Sequence, residues 1–279
     1  MDNTARFTTR VTSYVASRPT YPPKILSLLD DQFHLPLGAT IVDLGSGTGI
    51  LTAQLLEHFK DKGIKVLGLE PNEAMRKAAE EALATQMRDG HFVSMNKTSE
   101  NTGLQDRSVD LVIAGQAFHW FDVEKTRQEC LRILKPEGGV ALLYNDRRGK
   151  VSKELERIVP SNNQKRSIDP SPFMAEYDDL LSRHRADHFA VYSKHHISAS
   201  ILRHFFGHEE FEVASFPNPY QLTSEQLQAR VLSSSYAPEE GQVGHVEMLE
   251  DLQLLFEKYQ VNGTVEYFYD ARVFYGALS

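Results

Sequence analysis

Apolar residues along this chain fall into two rhythms, short β-branched runs and longer stretches at helical spacing, and the two alternate through the first half. Residues 41–44 (IVDL) read as a short buried strand, and residues 65–70 (KVLGLE), 91–95 (HFVSM), 109–114 (VDLVIA) and 140–144 (VALLY) read as four more. Between them Ile50, Leu51, Leu55, Leu56 and Phe59 recur at helical spacing, with Thr48 placed as the N-cap. An alanine-rich helix is expected over residues 72–88 and another over residues 123–134. Residues 135–139 read as a turn, with Pro136 and paired glycines. Strands separated by helices of this length imply crossover connections and a parallel sheet covered on both faces.

The flanks differ. Pro19, Pro22 and Pro23 divide the N-terminal stretch into a short first helix and a second from about Lys24, whose Ile25, Leu26, Leu28 and Leu29 form an apolar face. After Arg147 come charged helical stretches, a proline-punctuated loop and a histidine-rich run. Alternation returns with a strand near residues 211–220, helices over 224–234 and 243–259, and a last strand over 265–275. The simplest architecture is an α/β doubly wound sheet of about seven strands. Residues 1–147 make its cofactor-binding half with an N-terminal lid, 148–210 a helical insertion after the fifth strand, and 211–279 the completion of the same sheet.

Composition narrows the function classes. The 279 residues carry a formal charge of -8, which argues against a surface built for phosphodiester backbones. The single cysteine, Cys130, rules out an intrachain disulfide and falls in a helical stretch, where packing is its first reading. No apolar run approaches the roughly 20 residues of a membrane span, and the polar start lacks a signal-peptide core. A cytoplasmic chain without nucleic-acid or membrane partners is expected, as a monomer or weak homodimer.

Chemistry enters at the end of the first strand. Gly45, Gly47 and Gly49 permit a tight turn and close ligand approach, and the whole segment reads strand, glycine turn, helix. In an open α/β sheet ligands bind at the carboxyl ends of the strands, and Glu70 ends the second, where a carboxylate can accept from both ribose hydroxyls. The dinucleotide pattern GxGxxG is broken, because Ile50 stands at its third position. Asp43 before the turn repels a pyrophosphate but suits an ammonium group. S-adenosylmethionine has that ammonium and no phosphate, so the residues favour methyl transfer.

The ordered segments IVDLGSGTGILT, GLEPNEAMR, SVDLVIAGQAFHWFD and LRILKPEGGVALLYND resemble the motifs of the class I S-adenosylmethionine-dependent methyltransferases. HWFD and the opening YVASRPTYP further resemble the subgroup containing the trans-aconitate methyltransferases and many small-molecule (type 11) methyltransferases. The likeness covers roughly residues 6–147 and implies a mostly parallel, Rossmann-like sheet of seven strands. It implies that Asp43, Gly45, Ser46 and Gly47 hold the methionine part of the cofactor, and that Glu70, with Pro71 and Met75 after it, holds the ribose side. It places Thr98, Ser99 and Glu100 at the adenine and adds Gln116, Ala117 and Trp120 to the cofactor set. Many relatives have alanine where Ser99 stands.

The acceptor half is sought among the remaining polar and aromatic groups at strand ends. Tyr14 and Arg18 lie one helical turn apart and suit a lid, Tyr14 against the sulfonium and Arg18 reaching a carboxylate of cofactor or acceptor. His119 is a candidate general base, an orienting group or a pocket wall. Phe118, Phe121, Tyr144, Asn145, Arg147, Arg148 and, more weakly, Tyr236 complete the candidates. Trp120 and Phe121 equally suit packing beneath the following helix. His184 with His188 and His204 with His208 have metal-compatible i,i+4 spacing, but no Cys or HExxH completes a site, so solvated helix faces are the reading and no metal is expected. The rivals to small-molecule methyl transfer are a macromolecule methyltransferase, a cofactor-binding regulator without turnover, and a nicotinamide oxidoreductase.

Overall fold

The computed structural model describes residues 18–147, 171–184, 197–207, 211–234, 237–238 and 240–279. The expected first helix with Tyr14, as well as Arg148, His188, His208 and Tyr236, lies outside them.

Seven strands form one sheet: β1 (Thr40–Leu44), β2 (Lys65–Leu69), β3 (Phe92–Met95), β4 (Val109–Gly115), β5 (Leu134–Arg147), β6 (Glu212–Leu222) and β7 (Val265–Gly276), in the order β3-β2-β1-β4-β5-β7-β6. The first five pair in parallel, as the helices between them require. β7 then pairs antiparallel with both β5 and β6, so the far end of the sheet reverses direction. β6 is the edge strand on that side. There Pro217 and Pro219 are tolerated, since an edge strand has one side with no ladder to complete.

α1 (Pro23–Phe33) begins one residue earlier than expected because Pro23 sits in its first turn, where a missing N–H costs nothing. With α2 (Ile50–His58) it covers one face, packing Ile25, Leu29 and Leu55 onto Ile41, Ile113 and Leu143. α5 (Val123–Ile133) and α7 (Ala199–Phe206) cover the other, over Val112, Leu142 and Phe274. Cys130 is buried there, and burial pushes its thiol up to about 12, the inert packing group its place suggested.

Two expected elements differ. The single helix over 72–88 is two, α3 (Glu73–Ala82) and α4 (Ala84–Arg88), because Leu83 leaves helical geometry and buries its side chain. The turn at 135–139 lies inside β5, where residues 135–138 stand opposite Asp110 alone. Lys135 anchors this bulge with two 2.8 Å bonds to the Asp110 carboxylate. Gly139 has no room for a side chain, since a Cβ there meets the Phe33 ring at 2.0 Å.

A third core joins α6 (Pro172–Arg183), α8 (Ser224–Leu232) and α9 (His245–Tyr259) to Tyr267 and Tyr269 of β7. Arg147 ends β5 in an ion pair with Asp178 of α6 at 2.8 Å, both largely buried, with its guanidinium 5.9 Å from the Tyr177 ring. Arg147, expected among the substrate residues, is thus also an anchor for α6. Asp178→Ala removes the carboxylate facing a buried guanidinium and is expected to lower the unfolding free energy by about 3 kcal/mol or more. The double variant Arg147→Met/Asp178→Leu should return to within about 1 kcal/mol of the parent. Urea unfolding of both checks this, and a loss near zero in Asp178→Ala would show that the pair anchors nothing.

Candidate functional site

In the order β3-β2-β1-β4-β5 the chain leaves β1 toward one side and returns to β4 on the other, which opens a crevice at their carboxyl ends. The glycine turn fills its floor. Gly45 (φ 66°) and Gly47 (φ 56°) take the left-handed conformation that favours glycine, and Gly49 (φ 81°) does so at the N-cap of α2. Thr48 is therefore not the cap. Its hydroxyl is instead buried with no hydrogen-bond partner among the described residues, on the crevice wall.

The turn is held by the end of β2. Gly45 N–H and Ser46 N–H donate to the Leu69 carbonyl at 2.8 and 3.1 Å. Gly47 N–H donates to Glu70 Oε2 at 3.0 Å, and Asn72 N–H to Glu70 Oε1 at 2.7 Å. Burial raises the Glu70 carboxyl, while these bonds and Arg76 pull it down. Each oxygen accepts one amide and retains a lone pair for a hydroxyl. A Cβ at Gly45 would lie 2.7 Å from that of Ala117 and 3.5 Å from the Phe121 ring, so the segment after β4 rests directly on the turn. Phe121, expected on the acceptor, thus also packs against the glycine turn.

The cleft above the turn is narrow, with a water-accessible volume of about 50 Å³. Its lining includes Asp43, Arg18, Asn145 and Arg230, with Gln116 just after β4. Asp43 is 1% exposed and accepts from Thr52 Oγ1 at 2.8 Å. Burial pushes its carboxyl up to about 7, against the Thr52 bond and with help from Glu70. Gln116 holds a left-handed φ of 56°, a strained conformation for a side-chain residue, and its amide donates to the Asn145 carbonyl at 3.0 Å.

Residues 18–21 form a strap across this mouth. Gln54 brackets Tyr21, accepting from its N–H at 2.9 Å and donating to its carbonyl at 2.8 Å. Asn145 and Asn218 both donate to the Thr20 carbonyl, at 3.2 and 2.8 Å. Arg18 donates to the Ser233 carbonyl at 3.3 Å. Arg230 of α8 had no signal in the sequence: it lies in an ordinary amphipathic helix, and only the C-terminal layer brings it to the glycine turn. The guanidinium donates to the Tyr269 hydroxyl, stacks 5.6 Å from that ring and meets Ser233 Oγ at 3.5 Å.

The other candidates scatter around the cleft. His119 and Trp120 form a 3-10 turn after β4, half-buried, their rings 5.1 Å apart, with His119 6.3 Å from the Tyr144 ring. Neither lines the cleft over the glycine turn. Phe118 is core, against Phe205. Burial drives the Tyr144 phenol well up, with Asp146 and Tyr21 adding to it and the His119 main chain opposing. Met75 is buried at the start of α3, behind Pro71 and the Asn72 cap. Ser99 is buried and accepts from Thr126 at 3.0 Å, one turn into α5. Glu100 accepts from Asp122 N–H at 3.0 Å; burial opposes its charge, but that bond and those from Thr98 and Ser99 hold its carboxyl below the usual range. His184 and His204 face Asp251 and Glu124 at 2.7 and 2.9 Å.

Residues 42–142 match the model of a methyltransferase domain. The methyltransferase C25B8.09 of Schizosaccharomyces pombe, itself uncharacterized, is 35% identical over 146 residues, 52% of this chain and 54% of its own. The uncharacterized methyltransferase Mb3374 of Mycobacterium bovis is 34% identical over 161 residues, 57% of this chain and 60% of its own. The chain thus spans little more than half the length of these relatives. A solved structure from Anaeromyxobacter dehalogenans, provisionally named a type II methyltransferase, superposes with a TM-score of 0.60 over 93% of this chain and 97% of that one, at 19% identity, and shares its fold.

Asp43 carries a pH signature. With its folded carboxyl at about 7 and an unfolded value near 3.9, the folded chain holds an extra proton between those values. Its contribution to stability is full below the lower value and is lost as pH rises through 7. Asp43→Asn, which keeps an acceptor for Thr52, is expected to gain stability relative to the parent as pH goes from 5 to 8. Urea midpoints across that range check it, and parallel profiles would show that Asp43 titrates normally.

Proposed function

We propose that the chain is a class I S-adenosylmethionine-dependent methyltransferase, a reading supported by the methyltransferase-domain match over residues 42–142 and by its methyltransferase relatives, and that it moves the cofactor's methyl group to an oxygen or nitrogen nucleophile of a small-molecule acceptor. The observation that carries the reading is Asp43, a buried carboxylate on the wall of the cleft beside the glycine turn. It suits an ammonium and opposes a pyrophosphate, and a cation bound there favours its ionised form. The fit extends further. The open space beside Gly47 and the buried Thr48 hydroxyl both lie on the cleft, and the Glu70 carboxylate keeps lone pairs for ribose hydroxyls.

When bound, S-adenosylmethionine supplies an electrophilic methyl group on a sulfonium. The chain's own residues orient and shield. Asp43 takes the ammonium, Glu70 the ribose, and the segment carrying Thr98, Ser99 and Glu100 bounds the adenine side. The strap from Arg18 to Tyr21 keeps water from the mouth, which serves an in-line displacement that disperses charge. The acceptor side is assigned to His119 and Trp120, which follow β4 with their rings 5.1 Å apart and with Tyr144 6.3 Å from His119. A hydroxyl or amine acceptor draws on His119 to accept its proton; a carboxylate acceptor arrives ionised and needs only positive charge.

Calorimetry with S-adenosylmethionine, S-adenosylhomocysteine and NAD tests the cofactor. The first two are expected to bind and NAD is not; preference for NAD would overturn the reading. Transfer of labelled methyl into a metabolite extract tests turnover. It should vanish in Gly47→Arg, whose side chain enters the cleft from a position with open space around it. Binding without transfer would leave a cofactor-binding regulator in its place.

A further inference from the structure

We infer that Asn218 and Tyr220, on the edge strand β6, are a latch that holds the strap of residues 18–21 over the cofactor cleft and so sets how fast S-adenosylmethionine enters and its product leaves. This rests on the methyltransferase reading and gives a role to residues outside the stretch that matches the methyltransferase domain.

The need for a latch follows from size. The cleft over the glycine turn has a water-accessible volume of about 50 Å³. Pockets that take a ligand as large as this cofactor enclose about 300 Å³ or more, so one wall must part as it enters. The floor is poorly suited to moving, because the amides of Gly45, Ser46 and Gly47 fasten it to the end of β2. The strap is better suited. It contributes Arg18, Pro19 and Tyr21 to the same lining and belongs to no helix or strand.

Side chains from β5 and β6 hold that strap at Thr20. Asn218 Nδ2 donates to the Thr20 carbonyl at 2.8 Å and to Asn145 Oδ1 at 2.9 Å. Asn145 Nδ2 donates to the same Thr20 carbonyl at 3.2 Å, so the two amides brace each other around one acceptor. The Tyr220 hydroxyl accepts from Thr20 N–H at 2.9 Å and lies 2.9 Å from Thr20 Oγ1. Its ring stands edge-on to Tyr269, with centroids 6.0 Å apart. The mount is stiff. Asn218 sits between Pro217 and Pro219, whose rings fix their own φ and keep the residue before Pro219 extended. Asn218 and Tyr220, two apart on a strand, share one face of it. The contacts to Thr20 are few and lie at the surface, which is the kind of attachment that opens locally while the sheet stays folded.

A strap that is shut before and after the cofactor enters, and open only during passage, has a distinct kinetic signature: weakening the latch lowers the barrier equally in both directions. Stopped-flow binding of S-adenosylhomocysteine to the full chain measures both rates. Asn218→Ala, which loses two hydrogen bonds, should raise association and dissociation together by about tenfold and leave Kd within about threefold. Tyr220→Phe, which keeps the ring against Tyr269, should raise both rates by a smaller factor. Melting temperatures identify folded variants, and Tyr220→Phe carries the test alone if Asn218→Ala fails to fold. Unchanged or slower rates, or a change in one rate without the other, overturn the inference and leave the methyltransferase reading standing. A wild type that does not bind S-adenosylhomocysteine overturns both.

Discussion

Three main-chain amides fix the centre of this molecule. Those of Gly45 and Ser46 point at the Leu69 carbonyl and that of Gly47 at the Glu70 carboxylate. The turn leaving β1 is thereby fastened to the end of β2. Ala117 and Phe121 then settle against Gly45 at van der Waals range, which brings the end of β4 into the same small volume. Glu70 makes this possible at some cost, since its carboxylate is taken out of water and kept charged by amides rather than by solvent.

Around that floor the charge is unevenly spread. Asp43 is buried and poised near neutrality of charge at physiological pH, so a cation arriving in the cleft has a strong effect on it. The strap and α8 bring guanidiniums to the same cleft. The second wall exists only because β7 runs antiparallel between β5 and β6 and supports the third core, on which α8 sits. The Arg147–Asp178 pair locks the helix after β5 to the same layer. The C-terminal layer is thus a structural extension of the sheet that supplies one side of a site whose floor is N-terminal.

The sequence was most informative where backbone constraint and chemistry coincide. Glycines at 45 and 47, the acidic ends of β1 and β2 and the alternation of strands and helices were all readable, because each is a local requirement of turn geometry or burial. Pro23 and Asn72 marked helix starts for the same reason. The misreadings share a cause in tertiary packing. Residues 135–138 look like a terminating turn but form a bulge, because Asp110 and Lys135 keep β5 paired across it. Thr48 resembles a cap, yet Gly49 takes that place. Arg230 was invisible because nothing local distinguishes it from any arginine on a helix, and only the packing of α8 brings it to the cleft over the glycine turn.

A crystal structure of the chain with S-adenosylhomocysteine bears most directly on the central claim. It is expected to show the ligand's amino group on Asp43, its ribose hydroxyls on the Glu70 carboxylate and its amino-acid chain over Gly45 and Gly47. A ligand lying elsewhere on the sheet, or one with its ribose and amino-acid ends reversed across the turn, would contradict it.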